Sequence, residues 1–287
     1  MAHSWLRAAG AALLITPLAA TAGQEVRIGW TAWADAEFVT RVAEQLLEER
    51  FDVDVELVQT DIAPQYTGIA RGDLDLMLMS WQPVTHEDYV ERYKDDFLDL
   101  GVLYSDARLG WVVPRWLYEQ GLTSIDQLNE ERWRDALDAT IQGIDPGAGL
   151  MRLSHEAIET YGLDYELIEA SDAAMTASLD RAARRDRPIV VTGWSPHWKF
   201  GAYQLAFLDD PEGALGGEET IHALARLGFD EELPEVAAFI GCMDFDLELL
   251  NDYLFKGRDE STEAAVAHFL ENQTDLIDSW AACARDE

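Results

Sequence analysis

Two apolar runs that end in the same way restrict this chain more than any other feature. Leu74-Asp75-Leu76-Met77-Leu78-Met79 runs into Ser80-Trp81-Gln82-Pro83, and Ile189-Val190-Val191-Thr192 runs into Gly193-Trp194-Ser195-Pro196-His197-Trp198. Short apolar, partly β-branched runs read as buried strands, and Gly, Ser and Pro break them. Each strand therefore ends by presenting a Trp, with Pro two residues later. In α/β chains small molecules bind beyond the carboxyl ends of strands, which makes both Trp candidates for one site.

The rest of the chain supplies the α/β frame. Val26 to Trp30 reads as a strand, Thr31 to Asp35 as a turn, and Phe38, Val39, Val42, Leu46 and Leu47 recur at helical spacing. Val53 to Val58 alternates as a second strand, and Ala63 to Arg71 reads as a short helix ended by Gly72. This rhythm predicts a mostly parallel sheet with helices on its faces. A second sheet is expected to begin near Arg108 to Pro114. It continues with strands at 139–144, 165–170 and 188–192, separated by helices at 150–161 and 172–185. From about Pro211 the composition turns helical, with helices expected at 233–239, 246–256 and 262–280. The expected division is a leader at 1–22, one lobe from 23–106 plus 212–287, and a second from 107–211. No low-complexity linker separates the lobes, so crossing segments should join them and let a cleft open and shut.

Charge and cysteine bound the setting. With 55 acidic and 21 basic residues the net charge is -34, which repels phosphate backbones and excludes nucleic acid as a partner. An acidic surface spread over the whole chain suits a protein that works in high salt, where screening shortens self-repulsion. Arg7 is the only charged residue before Glu25, Ala8 to Leu18 is apolar and small, and Ala20-Thr21-Ala22 fits an A-x-A cleavage site. Export of a mature chain beginning near Gly23 is the expectation. The apolar stretch is too short to anchor it, and no later segment is suited to stable membrane insertion. Cys242 and Cys283 are the only cysteines; in an oxidising compartment they form one bridge or remain two separate thiols, and spacing alone does not choose.

Five of the ten Trp fall on predicted turns or strand ends: Trp30, Trp33, Trp81, Trp111 and Trp194. Indole faces carry negative quadrupole charge, so several of them around one point bind a cation that cannot donate hydrogen bonds, and quaternary ammonium is that ligand. Trp116, Trp133, Trp198 and Trp280, in or near helices, read as core. Asp145-Pro146-Gly147-Ala148-Gly149 ahead of a helix reads as an anion site, with the amides of Ala148, Gly149 and Leu150 free for a carboxylate or hydroxyl oxygen; an ordinary Pro-Gly turn is the plainer alternative. Asp35 either accepts from a ligand hydroxyl or caps a helix, and His197 either donates to a ligand oxygen or packs beside Trp198. There is no G-x-S-x-G elbow, H-E-x-x-H or Walker loop, and the six His lack metal-ligand spacing, so no enzyme, metal or cofactor is expected.

The motifs Ser80-Trp81-Gln82-Pro83, Gly143 to Gly149 and Thr192 to Trp198, in this order, resemble the substrate-binding proteins of glycine betaine, proline betaine and choline ABC transporters over essentially the whole mature chain. The resemblance implies an α/β, two-lobe periplasmic-binding-protein fold of type II, with the ligand cleft between the lobes. It further implies a periplasmic location, a glycine betaine or choline-like ligand, and an ABC permease with its ATPase as partners. By position, Trp81 and Trp194 resemble cage walls from the two lobes, Trp33 an N-terminal cage Trp and Asp35 its hydroxyl partner in choline binders. The sequence departs from some betaine binders at Ala148 and Cys242, where they carry a cage Trp, and Trp111 is a further candidate wall. Another osmolyte or amino acid, or an exported hydrolase, are the rival readings.

Overall fold

The computed structural model describes residues 23–285, and the expected leader at 1–22 lies outside the described residues. The chain opens with β1 (Gln24–Trp30), α1 (Ala34–Arg50), β2 (Val53–Gln59), α2 (Ile62–Arg71), β3 (Leu76–Gln82) and α3 (Glu87–Tyr93). β1 lies between β2 and β3, parallel to both. The stripe Phe38, Val39, Val42, Leu46 and Leu47 buries α1 against this sheet. α2 stops at Gly72, whose φ of 74° lets its amide reach back to the carbonyls of the last turn, a conformation that side chains other than glycine resist.

The long strand β4 (Phe97–Pro114) then leads through α4 (Arg115–Glu119), a 3-10 turn (Ile125–Asn129) and α5 (Glu131–Ala136) to β5 (Thr140–Gln142). α6 (Gly149–Thr160), β6 (Glu166–Ile168), α7 (Asp172–Ala183), β7 (Val191–Ser195), α8 (Lys199–Ala202) and β8 (Leu205–Phe207) follow. β9 (Glu218–Arg226) brings the chain back to the first half. Helices α9 (Phe229–Glu232), α10 (Pro234–Gly241), α11 (Leu247–Asp259), α12 (Thr262–Asn272) and α13 (Thr274–Cys283) complete it.

Among the described residues the strands form one curled sheet in the order β2-β1-β3-β9-β4-β7-β5-β6, with β8 on β4. The expectation of a separate second sheet starting at Arg108 is therefore corrected. β4 begins at Phe97, pairs with β9 along its first part and with β7 and β8 along its last. Three register shifts between Asp99 and Ala107, with positive φ at Gly101 and Asp106, bend it between the two halves. β9 is a second correction, to the expectation of helical composition from about Pro211 onward. It pairs antiparallel with β3 on one side and β4 on the other, and these partners settle the state of Ala223-Leu224-Ala225, which has little strand preference of its own.

The helix expected over 262–280 is two helices. The chain leaves helical geometry at Gln273, with φ -111° and ψ 33°, and restarts at Thr274 so that Ile277 and Trp280 turn inward. Phe269 of α12 packs edge-on to Phe38 of α1 with ring centroids 5.7 Å apart, and Tyr253 of α11 stacks on Phe38 at 5.8 Å. Removing the buried Phe269 ring would cost about 3–5 kcal/mol, since α11, α12 and α1 share it. The sulfurs of Cys242, at the end of α10, and Cys283, in α13, are bonded, with Cα atoms 6.0 Å apart and a sequence separation of 41. A closed loop of that size is worth about 4 kcal/mol in the chain-entropy picture.

Candidate ligand-binding site

Trp81, next to last in β3, and Trp194, next to last in β7, line one cavity. Trp33, the residue before α1, is the third wall. Leu109, Ile144, Thr85, His86 and the start of α6 complete its lining. Trp33 and Trp194 lie with ring centroids 6.3 Å apart and planes inclined at 58°.

Each indole directs its single polar hydrogen into the protein. Trp33 Nε1 donates to Asp145 Oδ2 at 3.0 Å, Trp194 Nε1 to Asp35 Oδ1 at 3.0 Å, and Trp81 Nε1 to Met79 Sδ at 3.0 Å. These bonds fix the rings and leave their π faces for the cavity.

The opposite pole offers hydrogen-bond donors. Gly149 and Leu150 begin α6, so their amides have no acceptor within the helix. Only glycine fits at 149, because a Cβ there would stand 2.0 Å from the Thr85 carbonyl oxygen. The Ala148 amide, expected as a third donor, instead donates to Asp145 O at 2.9 Å and closes the turn. His86 adds a side-chain donor. The Trp81 amide donates to its Nδ1 at 3.1 Å, which puts the proton of the neutral ring on Nε2, and Nε2 has no partner among the described residues. Burial, with Arg152 adding to it, pushes His86 down to about 3, so the ring is neutral at physiological pH.

Of the residues expected from the sequence, Trp33, Trp81, Ala148, Gly149, Leu150 and Trp194 meet at this cavity. Trp111, Asp35 and His197 do not line it. Trp111 is fully buried and donates to Ser154 Oγ at 2.9 Å. Strand register explains this: Leu109 pairs with Trp194 and so reaches the cavity, whereas Trp111 pairs with Thr192, one step back from the strand end. Asp35 stands behind Trp194, accepting from its Nε1 and, at 2.8 Å, from Tyr104 OH. Burial raises Asp35 to about 6 against the lowering effect of these two bonds. His197 packs edge-on to Trp194 at 4.7 Å. Its Nε2 bonds Asp172 at 3.2 Å, and its Nδ1 accepts from the Lys199 amide at 3.0 Å. Both residues contact the Trp194 wall.

His86, Thr85, Leu109 and Ile144 were not anticipated. His86 had one legible signal, its place just after the Trp-Gln-Pro turn. The two halves also grip each other around the cavity. Arg152 of α6 donates to Val84 O at 3.0 Å and pairs with Asp88 at 3.3 Å, while Tyr89 OH donates to Gly147 O at 3.2 Å. Glu219 of β9 holds the same segment, accepting from the Thr85 amide and hydroxyl at 3.0 Å each.

Residues 24–272 match the family described as the substrate binding domain of ABC-type glycine betaine transport system. The chain belongs to this family. A glycine betaine/carnitine transport binding protein of Listeria monocytogenes is 37% identical over 150 residues, about half of each chain (51% of this one, 50% of the other). The glycine betaine/proline betaine-binding periplasmic protein of Salmonella typhimurium is 24% identical, over 88% of this chain and 87% of its own. Among solved structures, lactococcal OpuAC in its closed form complexed with glycine betaine superposes with a TM-score of 0.83 at 29% identity, covering 90% of this chain and 99% of that one. A choline binding protein in complex with choline gives 0.80 at 26% identity, covering 90% and 91%. The fold is the two-lobe periplasmic-binding-protein fold, and the chain is the solute-binding component of a transport system.

Proposed function

We propose that this chain is the extracytoplasmic receptor of an ABC importer and that it binds a quaternary ammonium compatible solute, glycine betaine before choline, without chemical turnover. One observation carries the reading. Three tryptophans with their N–H groups engaged elsewhere line one cavity together with the start of α6 and with His86, whose Nε2 has no partner among the described residues. The trimethylammonium group would lie among Trp33, Trp81 and Trp194, each face contributing about 1 kcal/mol or more once desolvated. The carboxylate would accept from His86 Nε2–H and the Gly149 and Leu150 amides, aided by the helix dipole. A carboxylate can take several donors at once, and for that reason a pole with these donors favours betaine over an alcohol.

Residues 23–106 with 212–287 form one lobe in this reading, and 107–211 the other, with β4 and the returning chain before β9 as crossings. The closed form would be handed to a permease and its ATPase. The leader-like segment at 1–22 and the Cys242–Cys283 bond both support a periplasmic location. Calorimetric titration with glycine betaine, choline, carnitine and ectoine tests the proposal. Glycine betaine should bind at micromolar concentration or better and ectoine far more weakly; a preference for ectoine would overturn the cage.

A further inference from the structure

A buried lysine stands behind the Trp194 wall. Lys199, the first residue of α8, is fully buried, and its Nζ lies 3.7 Å from the centroid of the Trp194 ring. That nitrogen has no hydrogen-bond partner among the described residues. Trp194 lines the cavity and Lys199 does not, so the ammonium covers the indole face turned away from the ligand. A quaternary ammonium on the inner face would approach the same ring to roughly 4 Å. Two cations would then share one indole at a separation of roughly 8 Å, a distance at which they still repel appreciably in a protein interior.

We propose that Lys199 is a specificity-determining residue, a fixed cation behind Trp194 that disfavours bare quaternary cations and spares zwitterions whose carboxylate lies at the far pole. The inference rests on the cage reading of Trp33, Trp81 and Trp194. A chain with net charge -34 attracts cations of every kind to its surface, so discrimination between a cation and a zwitterion requires a positive charge placed locally. Lys199 is that charge: it offsets Asp35 and Asp172, which would otherwise draw a cation to the ring, and it acts through the ring without touching the ligand.

The neighbours of Lys199 define when it is charged. Asp35 of α1 and Asp172 of α7 face it, and His197 lies two residues before it. Tyr104 of β4 donates to Asp35, while α11 brings Asn251 to the His197 amide and Arg258 over Trp198. Burial lowers Lys199 to about 8 against the pull of Asp172 and Asp35. Burial takes His197 down to about 4, and Asp35 is at about 6. Burial alone would raise Asp172, but His197 and Lys199 hold it below its ordinary value; burial, then Asp35, drives Tyr104 well above its own. Lys199 is thus the member of this cluster whose charge changes between neutral and mildly alkaline pH. It opposes a cationic ligand below about pH 8 and stops opposing it above.

The experiment is calorimetry of glycine betaine and choline against the full chain and Lys199→Met, which keeps the length and removes the charge. At pH 7 the variant should bind choline on the order of tenfold more tightly than the unsubstituted protein does, with glycine betaine changed by less than about threefold. In the unsubstituted protein choline should tighten by a similar factor from pH 7 to pH 9, while the variant stays flat. A choline-to-betaine ratio that is the same in both proteins at pH 7 overturns the role of Lys199 and leaves the cage intact. Failure of the unsubstituted protein to bind either ligand overturns both. If circular dichroism shows the variant unfolded, the pH series on the unsubstituted protein decides, and a ratio unchanged from pH 7 to pH 9 overturns the proposal.

Discussion

The strand ends that carry Trp81 and Trp194 share a Trp-x-Pro turn followed by a histidine, and they place that histidine in opposite directions. After Trp81, the segment Pro83-Val84-Thr85-His86 is pulled against Glu219 and Arg152, and its imidazole reaches the cavity with a free N–H. After Trp194, Pro196 is followed at once by His197, which turns inward to Asp172 and leaves Lys199 beneath the indole. One end therefore supplies a wall and a donor pole. The other supplies a wall with its own electrostatic backing. The Trp is set by the strand end, and what accompanies it depends on the two or three residues that follow.

The largest effect should come from the shared part. Trp81→Ala and Trp194→Ala are each expected to weaken glycine betaine binding about a hundredfold by calorimetry, because each removes a desolvated face together with the apolar contacts of the whole ring and opens the cage to water. Trp133→Ala, which lies far from the cavity lining, should leave affinity unchanged if the variant remains folded. His86→Leu should cost glycine betaine about tenfold or more and choline less, since it removes a donor from the carboxylate pole. His197→Leu should act through Trp194 alone and weaken both ligands to the same degree; the ratio of the two affinities separates the two histidines.

Arg152→Met is expected to have a smaller effect, a loss of about three- to tenfold that appears as faster release in stopped-flow tryptophan fluorescence. Its bonds to Val84 and Asp88 cross between the halves and exist in the closed form. Asp35 should give the smallest. Its charge favours a cation beside Trp194 and is lost as pH falls through about 6, so choline should weaken a few-fold from pH 7 to pH 5 and glycine betaine less. For folding the sign is reversed: a carboxyl raised from 3.8 to about 6 favours the folded state most below 3.8, and that contribution disappears as pH rises through 6.

Much of this was legible in the chain itself. The two Trp-x-Pro ends, the Gly147-Ala148-Gly149 turn and the helix stripes of the first half are local signals, and local signals survive folding. β9 was not legible, because Ile221 to Ala225 owes its extended state to two neighbouring strands that lie more than a hundred residues earlier. Trp111 was misplaced for a related reason: its side chain shares a strand face with Leu109, and the register with β7 alone decides which of them reaches the strand end. Asp35 and His197 stand beside Trp194, as their sequence positions suggest, but outside the cavity lining. Sequence proximity to Trp33 and Trp194 reports a neighbourhood and carries no information about which face of an indole a group occupies.

The central claim is that the cage recognises the positive charge of its ligand, and not merely a trimethyl-capped carboxylate of the right size. Replacing the nitrogen of glycine betaine by carbon gives 3,3-dimethylbutanoate, which keeps the shape and the carboxylate and loses the cation. Calorimetric titration of both into the unsubstituted protein tests the claim directly. Glycine betaine should bind at least about a hundredfold more tightly, the sum expected of two or three desolvated cation–π contacts, and equal affinities would contradict it.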